Sequence, residues 1–173
     1  MRRSVLALSF CLFVTAHVGA VTVTPLTFEQ LVSNSAAVVL VRVVEVRGEF
    51  VPGGRGIESI VTVDVLKGLK GGAVETLQFT VPGGRAGRYL NLIPGAPTFT
   101  AGDIAVIFLT SRGPRLPVTT GLTQGVYRVH SGGAEMMVMP PVVETGKVSR
   151  GDVQRKPVTL AAFEARVRAL AGR

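Results

Sequence analysis

The chain has no tryptophan, one cysteine and two histidines in 173 residues. Each scarcity removes a class of chemistry. A zinc site takes three or four protein ligands, drawn mainly from Cys and His. Outside the first 20 residues only His130 remains, which excludes zinc of the usual kind. Asp64, Asp103 and Asp152 are isolated and no Asp-x-Asp pattern occurs, so the clustered carboxylates of a calcium loop are missing. A Ser-His-Asp set would have to use His130. Its neighbour Ser131 points to the other face of a strand, and no Gly-x-Ser-x-Gly elbow exists. Glu45, Glu49, Glu58, Glu75, Glu135 and Glu144 have no context that marks a buried acid–base pair, and loop carboxylates are normally solvated. Gly83-Gly84-Arg85-Ala86-Gly87-Arg88 lacks the Gly-Lys-Ser/Thr of a nucleotide loop. The expectation is a protein that is not an enzyme and holds no metal or cofactor.

What is present is apolar. Hydrophobic residues make up 47% of the chain and charged ones 17%, which excludes intrinsic disorder. Residues 1–20 read as a signal peptide. Arg2 and Arg3 form its basic start, Val5–Ala16 an apolar run too short to span a bilayer, and Val18-Gly19-Ala20 a small-residue cleavage site. Phe10 before Cys11 excludes lipidation, and the flanks of Arg2-Arg3 favour ordinary export over the twin-arginine route. The expected product, cleaved near Ala20, is periplasmic or extracellular, without cysteine and without stable membrane insertion. Removing Arg2 and Arg3 lowers the formal charge from +8 to +6.

Residues 21–173 read as a single domain. Thr27 and Gln30 have the spacing of a capping box before a short helix that ends near Asn34-Ser35. A strand runs from Ala37 to about Arg47, apolar on both faces over Val38–Val41. A second strand, Ile57–Leu66, alternates Ile57, Val61, Val63 and Val65 against Glu58, Thr62 and Asp64. Lys67–Gly72 is expected to end it. A third, about Glu75–Val81, points Leu77, Phe79 and Val81 inward and Thr76, Gln78 and Thr80 outward. Further strands are expected over Tyr89–Ile93, Ile104–Thr110, Leu116–Thr120, Val126–His130 and Ala134–Met139, with a loop over Pro140–Lys156. A C-terminal helix over residues 159–171 is capped by Thr159. It carries Leu160, Phe163, Val167 and Leu170 on one stripe and places Glu164 and Arg168 on the solvent side. Val-Pro-Gly-Gly-Arg occurs twice, at Val51–Arg55 and Val81–Arg85. Short strands separated by Gly and Pro turns predict a mainly β fold, a small OB-like antiparallel barrel of five or more strands with the two helices flanking it.

Several segments carry a resemblance in this order: Phe28-Glu29-Gln30-Leu31, Val65-Leu66-Lys67-Gly68, Val81-Pro82-Gly83-Gly84, the run Gly95–Asp103 leading into Val106-Ile107-Phe108-Leu109, Gly121–Tyr127, and a terminal helix with Phe163 and Val167. Over about Thr27 to Leu170 the chain resembles a group of exported, uncharacterised bacterial proteins. Its strand order is similar to that of the netrin-like module of metalloproteinase inhibitors, an OB-type barrel. Those inhibitors act through an N-terminal cysteine and depend on disulfides. Here the segment after Ala20 begins Val21-Thr22-Val23, so the resemblance implies the scaffold and not the mechanism.

The expected role is that of a binding module. Arg55, Arg85, Arg88 and Tyr89, with the Arg85–Asp103 segment, are the candidate ligand-binding residues, because loops on rigid barrels carry recognition. The expected partner is an exported protein or an anionic glycan or lipid headgroup. A regulator or inhibitor of an exported protease is the main alternative, and a hydrolase the third. Nucleic acid is not expected, since single-strand binding needs a row of stacking aromatics and Tyr89 is the one candidate. Sequence leaves open whether the two arginine loops share a surface.

Overall fold

A computed structural model describes residues 24–54, 56–72, 74–141 and 156–172. The expected signal peptide, Arg55 and most of the expected loop over Pro140–Lys156 lie outside the described residues. Among the described residues the fold is mainly β, with two helices and ten strands. Helix α1 spans Phe28–Asn34, and α2 spans Leu160–Ala171. Ten strands lie between them: β1 Ala37–Phe50, β2 Ile57–Lys70, β3 Thr76–Pro82, β4 Gly84–Ala86, β5 Tyr89–Asn91, β6 Ile104–Arg112, β7 Arg115–Thr119, β8 Val126–Gly132, β9 Glu135–Met139 and β10 Val158–Thr159.

The pairing runs in a ring. β1 joins β2, β2 joins β3, β3 joins β7, β7 joins β6, and β6 returns to β1. All these pairs are antiparallel except β3–β7, which is parallel and consists of the single rung Thr80–Val118. β6 divides one edge between β8, over Ala105–Ile107, and β7, over Leu109–Arg112. β8, β9 and β10 extend the sheet from there.

The two-sided apolar strands follow from this arrangement. Val39, Val41 and Val43 of β1, with Ala105, Ile107 and Leu109 of β6, join Val61, Val63, Phe79 and Val81 in the core enclosed by the ring. Val38 and Leu40, with Val106 and Phe108, face the other way into a second core closed by the helices. Over Val38–Val41 of β1 and Ala105–Leu109 of β6 both faces are therefore buried, and Val and Ile suit such pleated, packed surfaces. The second core is aromatic. The rings of Phe28 and Phe163 lie 5.3 Å apart, those of Tyr127 and Phe163 4.9 Å, and those of Phe28 and Phe108 5.9 Å.

Both helix caps form as the sequence indicates. The Thr27 hydroxyl accepts from the Gln30 N–H, and the Gln30 side chain accepts from the Thr27 N–H. The Thr159 hydroxyl accepts from the Ala162 N–H. Three local expectations fail. β2 does not stop at Leu66 but runs to Lys70, because Leu69 is buried against the helices and Lys70 Nζ donates to the Val32 carbonyl at 2.6 Å. That contact satisfies an orphan carbonyl at the end of α1. Thr80 is buried rather than outward-facing, since it forms the β3–β7 rung. Glu164 is also buried, and its carboxylate meets Lys67 Nζ at 2.5 Å and Arg168 at 3.6 Å. The Glu164–Arg168 pair is present, but an ammonium from β2 draws the carboxylate inward.

Two of the segments that carry the resemblance have structural work. Gln124, in a 3-10 turn over Leu122–Gly125, accepts from the Leu26 N–H at 2.7 Å and donates to the Thr24 carbonyl at 3.1 Å. It ties the start of the described chain to the sheet. Gly125 there packs so close to the Thr120 carbonyl that no Cβ would fit. In the Gly95–Asp103 run, Phe99 stacks edge-on against buried Phe79 at 5.4 Å. Arg128 lies over Phe99, pairs with Asp103 at 2.5 Å, and donates to the Thr98 carbonyl. Among the described residues, no helix is long and apolar enough to cross a membrane.

Candidate functional site

The second Val-Pro-Gly-Gly-Arg copy opens a small hairpin, β4–β5, whose register pairs Gly84 with Asn91, Arg85 with Leu90 and Ala86 with Tyr89. This hairpin is seated on the far end of the β1–β2 ribbon. Gly48 and Ser59 face each other across that ribbon, and β4 crosses them at backbone contact. A Cβ on Gly48 would collide with the Arg85 carbonyl, and one on Gly84 with the Ser59 hydroxyl. The Gly83 N–H donates to the Ile57 carbonyl at 2.8 Å, and the Ser59 hydroxyl donates to the Gly83 carbonyl at 2.9 Å. Gly83 and Gly84 also hold φ of +87° and +124°, which L side chains rarely adopt. The glycines are there because the hairpin must touch the ribbon.

The first copy has a different role. Its turn joins β1 to β2, with the Val51 N–H donating to the Gly56 carbonyl at 3.1 Å. Gly53 has φ +67° and open space around it. The two copies nonetheless meet at one end of the molecule. Gly56 lies beside the Asn91 side chain, since a Cβ there would be 3.4 Å from its nitrogen. Phe50, next to the first copy, meets Tyr89 edge-on with ring centroids 5.8 Å apart. The elements that flank the arginine loops thus share one surface, while Arg55 lies outside the described residues.

The candidate residues take these positions. Arg85 is fixed through its backbone on Gly48, and its side chain is exposed. Arg88 sits in the β4–β5 turn, its guanidinium 5.1 Å from the Tyr89 ring centroid and donating to the Tyr89 hydroxyl at 2.9 Å. Cation–π stacking and this bond present the two side chains as one unit. The Arg85–Asp103 segment divides in two: residues 95–103 are held by Arg128, Phe99 and Thr123, and the hairpin before them is the exposed part.

Sequence reasoning singled out Tyr89 and covered Leu90 and Leu92 only within the Arg85–Asp103 segment, and it missed Phe50. Leu92 is 75% exposed, Phe50 59%, Leu90 54% and Tyr89 51%. The strand expected over Tyr89–Ile93 forms as β5 over Tyr89–Asn91, largely exposed. What leaves it uncovered is the partner: β5 pairs with the three-residue β4 alone. Beneath the hairpin runs a groove of about 290 Å³ lined by Val46, Leu90, Leu92, Ile93 and Phe99 among others. His130 is exposed, opposite Met137 on β9. Among the described residues, no group of three His, Cys, Asp or Glu side chains gathers to hold a metal ion.

Compared with known proteins, the chain matches no family model, no curated protein and no solved structure.

Proposed function

We propose that this chain is an exported, non-enzymatic binding module that recognises its ligand through the β4–β5 hairpin and the adjoining end of β1. The ligand is a protein or an anionic envelope component. We further propose that the scaffold is an OB-like barrel akin to the netrin-like module. The ring order β1-β2-β3-β7-β6-β1 supports this reading, and so does the placement of both helices outside that ring.

The observation that carries the functional reading is the exposure of Phe50, Tyr89, Leu90 and Leu92 together, flanked by Arg85 and Arg88. Single exposed apolar residues are ordinary, whereas a contiguous group with a charged rim marks an interaction surface. Site-specific photocrosslinking in the host tests it. A crosslinker at position 92 is expected to give a discrete adduct, and one at exposed Glu135 on β9 none. Equal labelling at both positions, or no adduct at 92, would overturn the assignment.

A further inference from the structure

We infer that the ligand of the hairpin surface is an anionic lipid bilayer, on which the protein docks peripherally with Leu90, Leu92, Tyr89 and Phe50 in the headgroup–acyl boundary and Arg85 and Arg88 at the phosphates. This rests on the hairpin being the binding surface and names what it binds.

Charge segregation is the first ground. From Thr76 to Gly102 the sequence holds Arg85 and Arg88 and no carboxylate. On the β1–β2 ribbon that carries the hairpin, Glu49 and Glu58 face each other. Alternation puts them, with Arg47, on the ribbon face opposite Phe50, Gly48 and Ser59. Glu49 is moreover neutralised by Arg47 at 2.9 Å. Alternation likewise puts Leu90 and Leu92 with Arg85 on one face of the hairpin and Tyr89, beside Phe50, on the other. The hairpin therefore meets the membrane edge-on, with cations at its rim and the ribbon acids turned away, which is complementary to a negatively charged plane.

The second ground is the kind of side chain exposed. Protein hot spots favour Trp, Tyr and Arg and are poor in leucine. Here the most exposed large side chain is Leu92, and Leu90 stands beside it. Leucines gain from acyl contact. Tyrosine favours the headgroup level, where ring and hydroxyl are both satisfied. Arginine keeps its stem along apolar surface while the guanidinium reaches phosphate oxygens. A tip of this composition sinks only to the interfacial depth, about 5–10 Å, and spans nothing. The seating of β4 on Gly48 and Ser59 makes the tip rigid, so little ordering cost accompanies docking.

Co-sedimentation of the purified chain with vesicles tests this, using phosphatidylcholine alone and phosphatidylcholine mixed with phosphatidylglycerol. Binding to the mixed vesicles is expected, with Arg85→Ala/Arg88→Ala weakening it roughly thirtyfold. Tyr89→Ser/Leu92→Ser is expected to abolish it with the melting temperature unchanged. High salt should weaken the wild type toward the level of the arginine variant. Binding that survives both double variants would overturn the proposal, because the charge responsible would lie elsewhere. So would absence of binding to either vesicle. In that last case the position-92 crosslink separates the two readings. A protein adduct would keep the hairpin as the site with a protein partner, and no adduct would remove both.

Discussion

Beside the Phe79–Phe99 pair, two aromatic groups meet at similar distances in opposite surroundings. Phe28, Phe108, Tyr127 and Phe163 meet at 4.9–6.4 Å, all of them buried between the helices and the sheet. Phe50 and Tyr89 meet edge-on at 5.8 Å, and both are more than half exposed. In the buried group each ring contact adds about 0.5–1.5 kcal/mol beyond its area burial. The difference lies in what stands behind the rings. The first group is backed by α1, α2 and β8, so its contacts add to a large burial of apolar surface. The second is backed by a three-residue strand resting on glycines. One end of the molecule uses aromatics to hold the fold, and the other offers them to a ligand.

The sharpest way to break that comparison is to truncate one ring from each group. Phe163→Ala removes a fully buried side chain and should cost about 3–5 kcal/mol in urea unfolding. Tyr89→Ala should stay within about 0.5 kcal/mol, as surface substitutions do. Equal costs would mean that the hairpin aromatics belong to the core after all.

The repeated pentapeptide gives the next contrast. Gly84→Val drives a side chain into the Ser59 hydroxyl and imposes an unfavourable φ, so the hairpin must lift from the ribbon. A cost of about 1–3 kcal/mol is expected, the usual range for overpacking. It should come with faster amide exchange of residues 84–91. Gly53→Ala, one place earlier in the other copy, meets open space and carries the left-handed backbone penalty alone, about 1–2 kcal/mol. The exchange rates separate the two even where the energies overlap. Protection of residues 84–91 that is unchanged in Gly84→Val would show that the glycine is not what seats the hairpin.

This contrast also shows how far the sequence could be read. Periodicity and capping made both helices, their caps and every strand but β4 and β10 legible, since those signals are local. The identical words Val-Pro-Gly-Gly-Arg looked alike because both are turns. Only the three-dimensional neighbour, open solvent for Gly53 and the Asn91 carbonyl for its counterpart Gly83, gives them different roles. The same limit hid Glu164, whose i,i+4 partner is visible in sequence while Lys67, 97 residues away, is not. Arg88 and Tyr89 could be picked from type and adjacency. Leu90 and Leu92 could not, because apolar residues are read as core by default. The one available signal was the missing carboxylates around them.

Smaller effects are expected where helix meets sheet through charge. Lys67→Ala leaves the buried Glu164 carboxylate with Arg168 as its remaining cation, at 3.6 Å. A loss of about 1 kcal/mol follows, near the low end for depriving a buried group of a partner. Glu29 gives the smallest effect. Its own backbone N–H holds its carboxyl below the usual glutamate range, burial opposes this, and the Arg166 guanidinium at 3.3 Å adds a smaller lowering. A carboxyl depressed on folding stabilises the protein at pH above the ordinary glutamate pKa of about 4.3, and that contribution fades as pH falls through the lower folded value. Glu29→Gln should therefore lower stability slightly at neutral pH and make no difference in strong acid. Because the side chain is half exposed, the neutral-pH loss should stay at the scale of a surface pair, about 0.2–1 kcal/mol. A loss that persists unchanged at acid pH would assign the effect to packing of Arg166 on the Phe28 ring, 4.9 Å from its centroid, rather than to charge.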